Sequence, residues 1–114
     1  MPSGQWKDRD LDLSNLPYSE EMFPGLPSRD LSLGTSDDGK FLVGLWEASK
    51  GETTYAQDTE EFGSVVAGKA TIEVEGEKPL EIGAGDTFFL PSGRKVHWTV
   101  AEGVRKFYAV RLND

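Results

Sequence analysis

Glu61 is the carboxylate best placed for chemistry, because it heads a short apolar run, Phe62-Gly63-Ser64-Val65-Val66-Ala67, that ends at Gly68. A carboxylate there can hold a cation or pass a proton. With Asp58 and Glu60 beside it, it can equally be a solvated acid at a strand start. His97 is the single histidine; an imidazole titrates near pH ~6.5 and can act as acid or base, although a lone histidine is more often structural. Trp46 and Trp98 can wall a ligand pocket or serve as plain core, the commoner fate of an indole. Arg94-Lys95 is a basic spot on an acidic chain, suited to catching an anion or to standing exposed in a turn.

The elements that must position these residues read as β-structure. The 114 residues suit one domain, and a chain of this size buries roughly 65% of its extended surface. Thirteen glycines and a sparse helical periodicity favour strands with many turns. Four of the six prolines (Pro2, Pro17, Pro24 and Pro27) fall in residues 1–28. That segment is expected to be an irregular arm, with one helical turn over residues 18–23, and residues 29–114 to form the barrel domain. Residues 29–35 alternate as a first strand. Asp37-Asp38-Gly39 is a turn signal. Residues 40–48 are apolar on both faces, so both faces need cover. Lys50-Gly51 reads as a further turn. Residues 61–67 and 69–75 read as two strands flanking Gly68, and residues 79–82, 86–90, 95–101 and 104–112 complete the set. The total is about eight or nine strands, the pattern of a sandwich or barrel. Gly83-Ala84-Gly85 precedes a strand rather than a helix, so it is a turn and not a phosphate loop.

Composition narrows the partners. A net charge of −8 repels phosphate backbones and anionic lipid, so neither nucleic acid nor membrane is expected. The absence of cysteine removes disulfides, thiolate metal sites and thiol nucleophiles. No apolar run approaches the ~20 residues of a membrane helix, and the first residues carry no apolar secretion signal. A soluble, cytoplasmic protein is expected.

Two segments carry a family resemblance. Glu61 to Gly68 has the form E-x6-G, and Gly85-Asp86-Thr87-Phe88-Phe89-Leu90-Pro91-Ser92-Gly93 has the form G-x5-P-x-G. Together they resemble the signature segments of the cupins, G-x5-H-x-H-x(3,4)-E-x6-G and G-x5-P-x-G-x2-H-x3-N. With Gly44-Leu45-Trp46-Glu47, Trp98-Thr99-Val100-Ala101-Glu102 and Val104-Arg105-Lys106-Phe107-Tyr108, the chain looks like the small single-domain cupins of undefined function. These are related to the ethanolamine-utilisation cupin and to ureidoglycine aminohydrolase. The resemblance implies an all-β, RmlC-like jelly-roll barrel of two packed antiparallel sheets, often as a homodimer. It does not imply one activity.

The departures bear on chemistry. The histidine positions of the first segment fall on Tyr55 and Gln57, or with the longer spacer on Thr54 and Ala56. Those of the second segment, histidine and asparagine, fall on Val96 and Val100, and His97 is one place off, on the opposite face of its strand. Glu61 is the one strong ligand in register, so neither a bound metal nor another cofactor is expected. Tyr55 and Gln57 can line the cavity, or lie on ordinary strand surface. If Lys106 and Tyr108 face inward, the ammonium can stand near Glu61 in place of the lost cation, although an unpaired lysine more often faces solvent. The resulting expectation is a barrel that binds a small polar metabolite, with Glu61 as any catalytic group and Tyr55, Gln57, Trp46, Trp98, Lys106 and Tyr108 around the ligand. The alternatives are a weakly metal-dependent aminohydrolase- or isomerase-like enzyme using Glu61, and a dimeric accessory cupin without ligand.

Overall fold

A computed structural model describes residues 2–113. Met1 and Asp114, the outermost residues of the expected arm and barrel, lie outside the described residues. Among the described residues the strands are β1 (Ser28–Thr35), β2 (Phe41–Gln57), β3 (Thr59–Val74), β4 (Leu80–Gly83), β5 (Thr87–Leu90) and β6 (Arg94–Leu112). All pairings are antiparallel, in the order β1-β2-β6-β3-β4 with β5 also on β3. The strand count is therefore lower than the sequence suggested. β3 and β6 each run continuously where two shorter strands were expected, and β2 runs on to Gln57, past the end expected at Ala48.

The reason lies at the points taken for turns. Lys50-Gly51 is not a turn: the β2–β6 register shifts between Ser49 and Gly51 and then resumes. The β3–β6 register shifts likewise between Gly68 and Thr71. Such bulges bend a strand without ending it. Gly68 has φ +76, and a Cβ there would stand 2.1 Å from the carbonyl oxygen of Gly103 on β6, so only glycine permits this crossing.

Either side of the bulges the same strands serve two layers. One holds β1, the first half of β2, the second half of β6, the first half of β3 and β5. The other holds the remaining halves and β4. Inward residues of both meet in one core, with Trp46, Val65, Phe88 and Leu90 from the first and Ile72, Val96, Trp98 and Val100 from the second. Trp98 closes the seam edge-on, 5.4 Å from the Trp46 ring centroid and 5.8 Å from that of Phe88. This is the antiparallel jelly-roll architecture read from the sequence.

The tight connections use the residues expected. Between β1 and β2, Gly39 (φ +75) donates to Ser36 O at 2.9 Å, and Asp38 Oδ1 accepts from the Lys40 amide at 3.0 Å. Gly83-Ala84-Gly85 is a turn, closed by Asp86 N donating to Gly83 O at 2.9 Å.

Residues 18–23 form bends rather than a helical turn. Pro17 and Pro24 bracket them, and Ser19 spends both backbone groups on Ser28, each bond 2.9 Å. Upstream, after a 3-10 turn at Asp8–Asp10, the chain lies across the outer face of the first layer. Arg105 Nε donates to Asp8 Oδ1 at 2.7 Å, its Nη2 to Leu11 O at 2.7 Å, and Arg29 Nη1 to Leu16 O at 3.1 Å. Leu13 and Leu45 are fully buried yet stand outside the inner core. Leu45 and Glu47 point to the same outer face, so the arm supplies cover that residues 40–48 required. Farther along, Phe23 and Leu26 turn inward and join the core. Among the described residues no helix is long and apolar enough to cross a membrane.

Candidate functional site

Strand alternation sends Asp30 of β1, Leu42 and Trp46 of β2, Glu61 of β3 and Lys106 and Tyr108 of β6 to the inner face of the first layer. Thr53, Tyr55, Gln57 and Trp98 of the second layer face them. Between the layers lies a cavity of about 540 Å³, walled on one side by Phe23 and Leu26 of the arm. Sites for small molecules are concave spaces of this size with a few convergent polar groups.

Lys106 and Glu61 form the centre. Both are buried, with 5% and 8% of their surface exposed, and Lys106 Nζ donates to Glu61 Oε2. Lys106 therefore does not face solvent, the commoner arrangement for a lysine. Its partner is the reason, since a lysine is buried only when paired. Three rings complete the enclosure. Nζ stands 4.6 Å from the ring centroids of Trp46 and Trp98 and 5.4 Å from that of Phe88. An ammonium over indole faces is attracted by their quadrupoles, most strongly where water is excluded. Glu61 is accordingly a buried, charge-paired carboxylate rather than a solvated acid.

Beside this pair, Tyr108 Oη donates to both oxygens of Asp30, at 2.8 and 2.9 Å. Glycine makes room for it: a Cβ on Gly44, directly across from Tyr108, would stand 2.3 Å from the hydroxyl. Burial raises the Asp30 carboxyl above its ordinary value of 3.8, against the opposing pull of the Tyr108 bond and the Lys106 charge. The Tyr108 phenol is pushed up by burial, and then by the Asp30 bond and charge. Burial likewise pushes up the Tyr55 phenol, with the Glu61 charge adding to it. Both phenols stay protonated across the physiological range.

Tyr55 lies at the cavity wall and its hydroxyl accepts a bond from Trp98 Nε1 at 3.0 Å. Gln57, 4% exposed, commits its amide nitrogen to Thr59, at 2.9 Å to the carbonyl and 3.1 Å to the hydroxyl. Trp46 and Trp98 are core and cavity wall at once. Thus all seven residues expected at the site line one cavity. His97 stands apart on the outer face, with Nδ1 2.5 Å from Thr54 Oγ1. Arg94 pairs with Glu77 at 2.5 Å on the surface.

Asp30 escaped the sequence reading. The alternation of β1 drew attention to Leu31 and Leu33, but the β1 residue that lines the cavity is Asp30, on the opposite row with Ser28 and Ser32. Leu31 pairs with Leu45 on the outer row under the arm. A strand whose polar face points inward was the missed signal.

The donor set does not fit a transition metal. Val96 is fully buried and cannot ligate, Tyr55 holds its proton, Gln57 offers only a weak, neutral amide oxygen, and Glu61 already neutralises Lys106. Among the described residues no three His, Cys, Asp or Glu side chains come together in a metal-binding group. The place of a cation beside the glutamate is filled by the chain's own ammonium.

A two-layer antiparallel barrel with an inward glutamate at the head of β3 and a cavity between its layers is the construction of a cupin. The sequence model of the EutQ-like cupin domain matches residues 35–108, and the chain belongs to that family. Solved structures agree on the fold. The EutQ protein of Clostridium difficile is 19% identical with a TM-score of 0.79, over 96% of this chain and 80% of that one. A putative ethanolamine utilization protein Q from Salmonella typhimurium is 23% identical with a TM-score of 0.64, over 78% and 71%. A protein of unknown function from Rhizobium leguminosarum is 19% identical with a TM-score of 0.76, over 99% and 100%. No curated protein sequence matches the chain significantly.

Proposed function

We propose that this cupin binds a small polar metabolite in the cavity between its layers and does so without a tightly held transition metal. The observation that carries the reading is the buried Lys106–Glu61 pair, open to a cavity of about 540 Å³. A charge pair taken out of water is costly unless its remaining hydrogen-bonding groups are used. Burying it at the wall of a space large enough for a metabolite argues for a ligand that uses them. A metal-assisted reaction through Glu61 fits less well, because activating water or substrate needs a cation held by several ligands. The test is elemental analysis with a thermal-shift screen of small metabolites. Saturable stabilisation by a polar compound, with no stoichiometric metal, is the expected result. Close to one manganese, iron or zinc per chain, lost in Glu61→Gln, would instead favour the enzyme.

A second reading concerns assembly. The arm covers only part of the first layer's outer face. Phe62 and Phe89, cross-strand neighbours on β3 and β5, are 51% and 54% exposed, and Phe41 nearby is 46% exposed. The Arg111–Glu60 pair in the row of Phe41 brings both charges to that face. A patch holding an apolar row and both signs of charge can meet its own copy across a two-fold axis. A homodimer through this face is the proposal. Sedimentation should show a dimer at micromolar concentration that Phe62→Glu converts to monomer; a monomeric parent protein would sink the idea.

A further inference from the structure

Resting on the reading of the cavity as a metabolite site, we infer the chemical class of its ligand: a neutral compound carrying adjacent hydroxyl or carbonyl oxygens, such as a sugar or cyclic polyol. The argument starts from what the cavity has not yet used. Lys106 has three N–H groups and makes one hydrogen bond, to Glu61 Oε2. The other Glu61 oxygen accepts none among the described residues. A donor and an acceptor therefore stand side by side at the cavity wall. Trp46 Nε1, on a ring that Lys106 covers, is a buried donor with no partner among the described residues. A hydroxyl both donates and accepts, so two neighbouring hydroxyls answer a lysine–carboxylate pair in kind.

Charge excludes the alternatives. An external ammonium would want the aromatic cage with a carboxylate at its side, and Lys106 already fills that cage. An anion would meet Lys106 but also Glu61 and Asp30, with Asp58 at the cavity lining and a net charge of −8 over the chain. A neutral ligand meets neither obstacle. The walls suit it as well, since Trp46, Trp98 and Phe23 offer flat apolar surface to ring C–H groups while Asp30 accepts from a further hydroxyl.

The experiment is a titration of the purified full chain, followed by calorimetry and by tryptophan fluorescence. Two of the three tryptophans, Trp46 and Trp98, line the cavity and report occupancy. The probes are glucose and myo-inositol (neutral, vicinal hydroxyls), gluconate and glucose 6-phosphate (anionic), choline (cationic) and cyclohexanol (one hydroxyl). Saturable binding of glucose or myo-inositol is expected, at least about tenfold tighter than any other probe. In the paired variant Glu61→Gln with Lys106→Met, which leaves no buried charge alone, that binding should weaken by about tenfold or more. Tighter binding of an anionic probe or of choline overturns the neutral class while leaving a metabolite site in place. Cyclohexanol binding as well as myo-inositol overturns the paired-oxygen argument. If no probe of any charge binds, both this inference and the metabolite reading fall. The panel on the unaltered protein decides among these outcomes even if the paired variant does not fold.

Discussion

Two glutamate–cation pairs share β6: their cations, Arg105 and Lys106, are neighbours in sequence and face opposite ways, one to Glu47 of β2 and the other to Glu61 of β3. Trp46 lies opposite Lys106 on the row that points inward, and Glu47 lies opposite Arg105 on the row that points outward. The outer pair is heavily employed. Glu47 accepts from Arg29 at 2.8 Å and from Arg105 at 2.7 Å, while Arg105 also binds Asp8 and Leu11, so the cluster fastens the arm to the barrel. The inner pair is enclosed more tightly but employed less: one hydrogen bond joins Lys106 to Glu61, and rings surround the rest. Similar residue types thus serve two ends. Where most donors and acceptors are spent within the chain, the cluster is structural. Where some are left over at a cavity, the cluster is a site.

The largest expected effect comes from breaking the inner pair. Lys106→Ala leaves the Glu61 carboxylate buried beside three rings with no cation, and losing one partner of a buried pair costs about 3–5 kcal/mol. Urea unfolding should show this loss, and adding Glu61→Gln should restore most of it by removing the stranded charge. A loss below about 1 kcal/mol would mean that water reaches the pair freely and that the inner and outer clusters are alike.

Breaking the outer cluster should matter less and act locally. Arg105→Ala removes bonds to Glu47, Asp8 and Leu11 at a half-buried position, for an expected cost of about 1–2 kcal/mol. Hydrogen exchange should quicken at the amides of Leu11 and Leu16, both bonded within the arm, while the β3 and β6 amides keep their protection. Uniform acceleration across the barrel would show that the arm is part of the cooperative core.

How much of this was legible in the sequence follows from the same geometry. Glu61, Gly68 and the Gly85–Gly93 segment gave the fold because glycines and prolines mark backbone positions that few other residues can occupy. They could not tell a bend from an end, so the bulge at Gly51 read as a turn that ended β2 early, while β3 was split in two at Gly68 and β6 in two beside Gly103. Glu61, Tyr55 and Gln57 were in register with the ligand positions of a known pattern, whereas Lys106 stood at none of them and was placed near Glu61 only on the condition that it faced inward. Its burial depends on Glu61 meeting it from 45 residues away and on indoles from both layers, contacts that no local pattern encodes. Asp30 was hidden for a related reason: the arm buries Leu31's row on the outside, which inverts the usual reading of an alternating strand.

The smallest expected effect is in acid, and there the two regions should respond with opposite signs. On the outer face burial works against the Glu47 charge, but the bonds from Arg105 and Arg29 outweigh it and hold the carboxyl below its ordinary value of 4.5. A depressed value means that this contribution to stability is fully present above pH 4.5 and is lost as pH falls through the lower, folded value. Inside, Asp30 is raised above 3.8, so the folded chain takes up a proton there before the unfolded chain does. That contribution favours the folded state at low pH and fades as pH rises through the raised value. Between neutrality and pH ~3 the arm should therefore loosen while the cavity holds. Protection factors at Leu11 and Leu16, taken against the intrinsic exchange rate at each pH, should fall below pH ~4.5, and Glu47→Gln should flatten that dependence at the cost of a looser arm at pH 7. Asp30→Asn, permanently neutral, should leave the arm's response unchanged and flatten the inner contribution with pH. Protection that falls equally in acid at the arm and at the strands around Asp30, with neither variant altering the balance, would erase the distinction between the spent and the unspent pair.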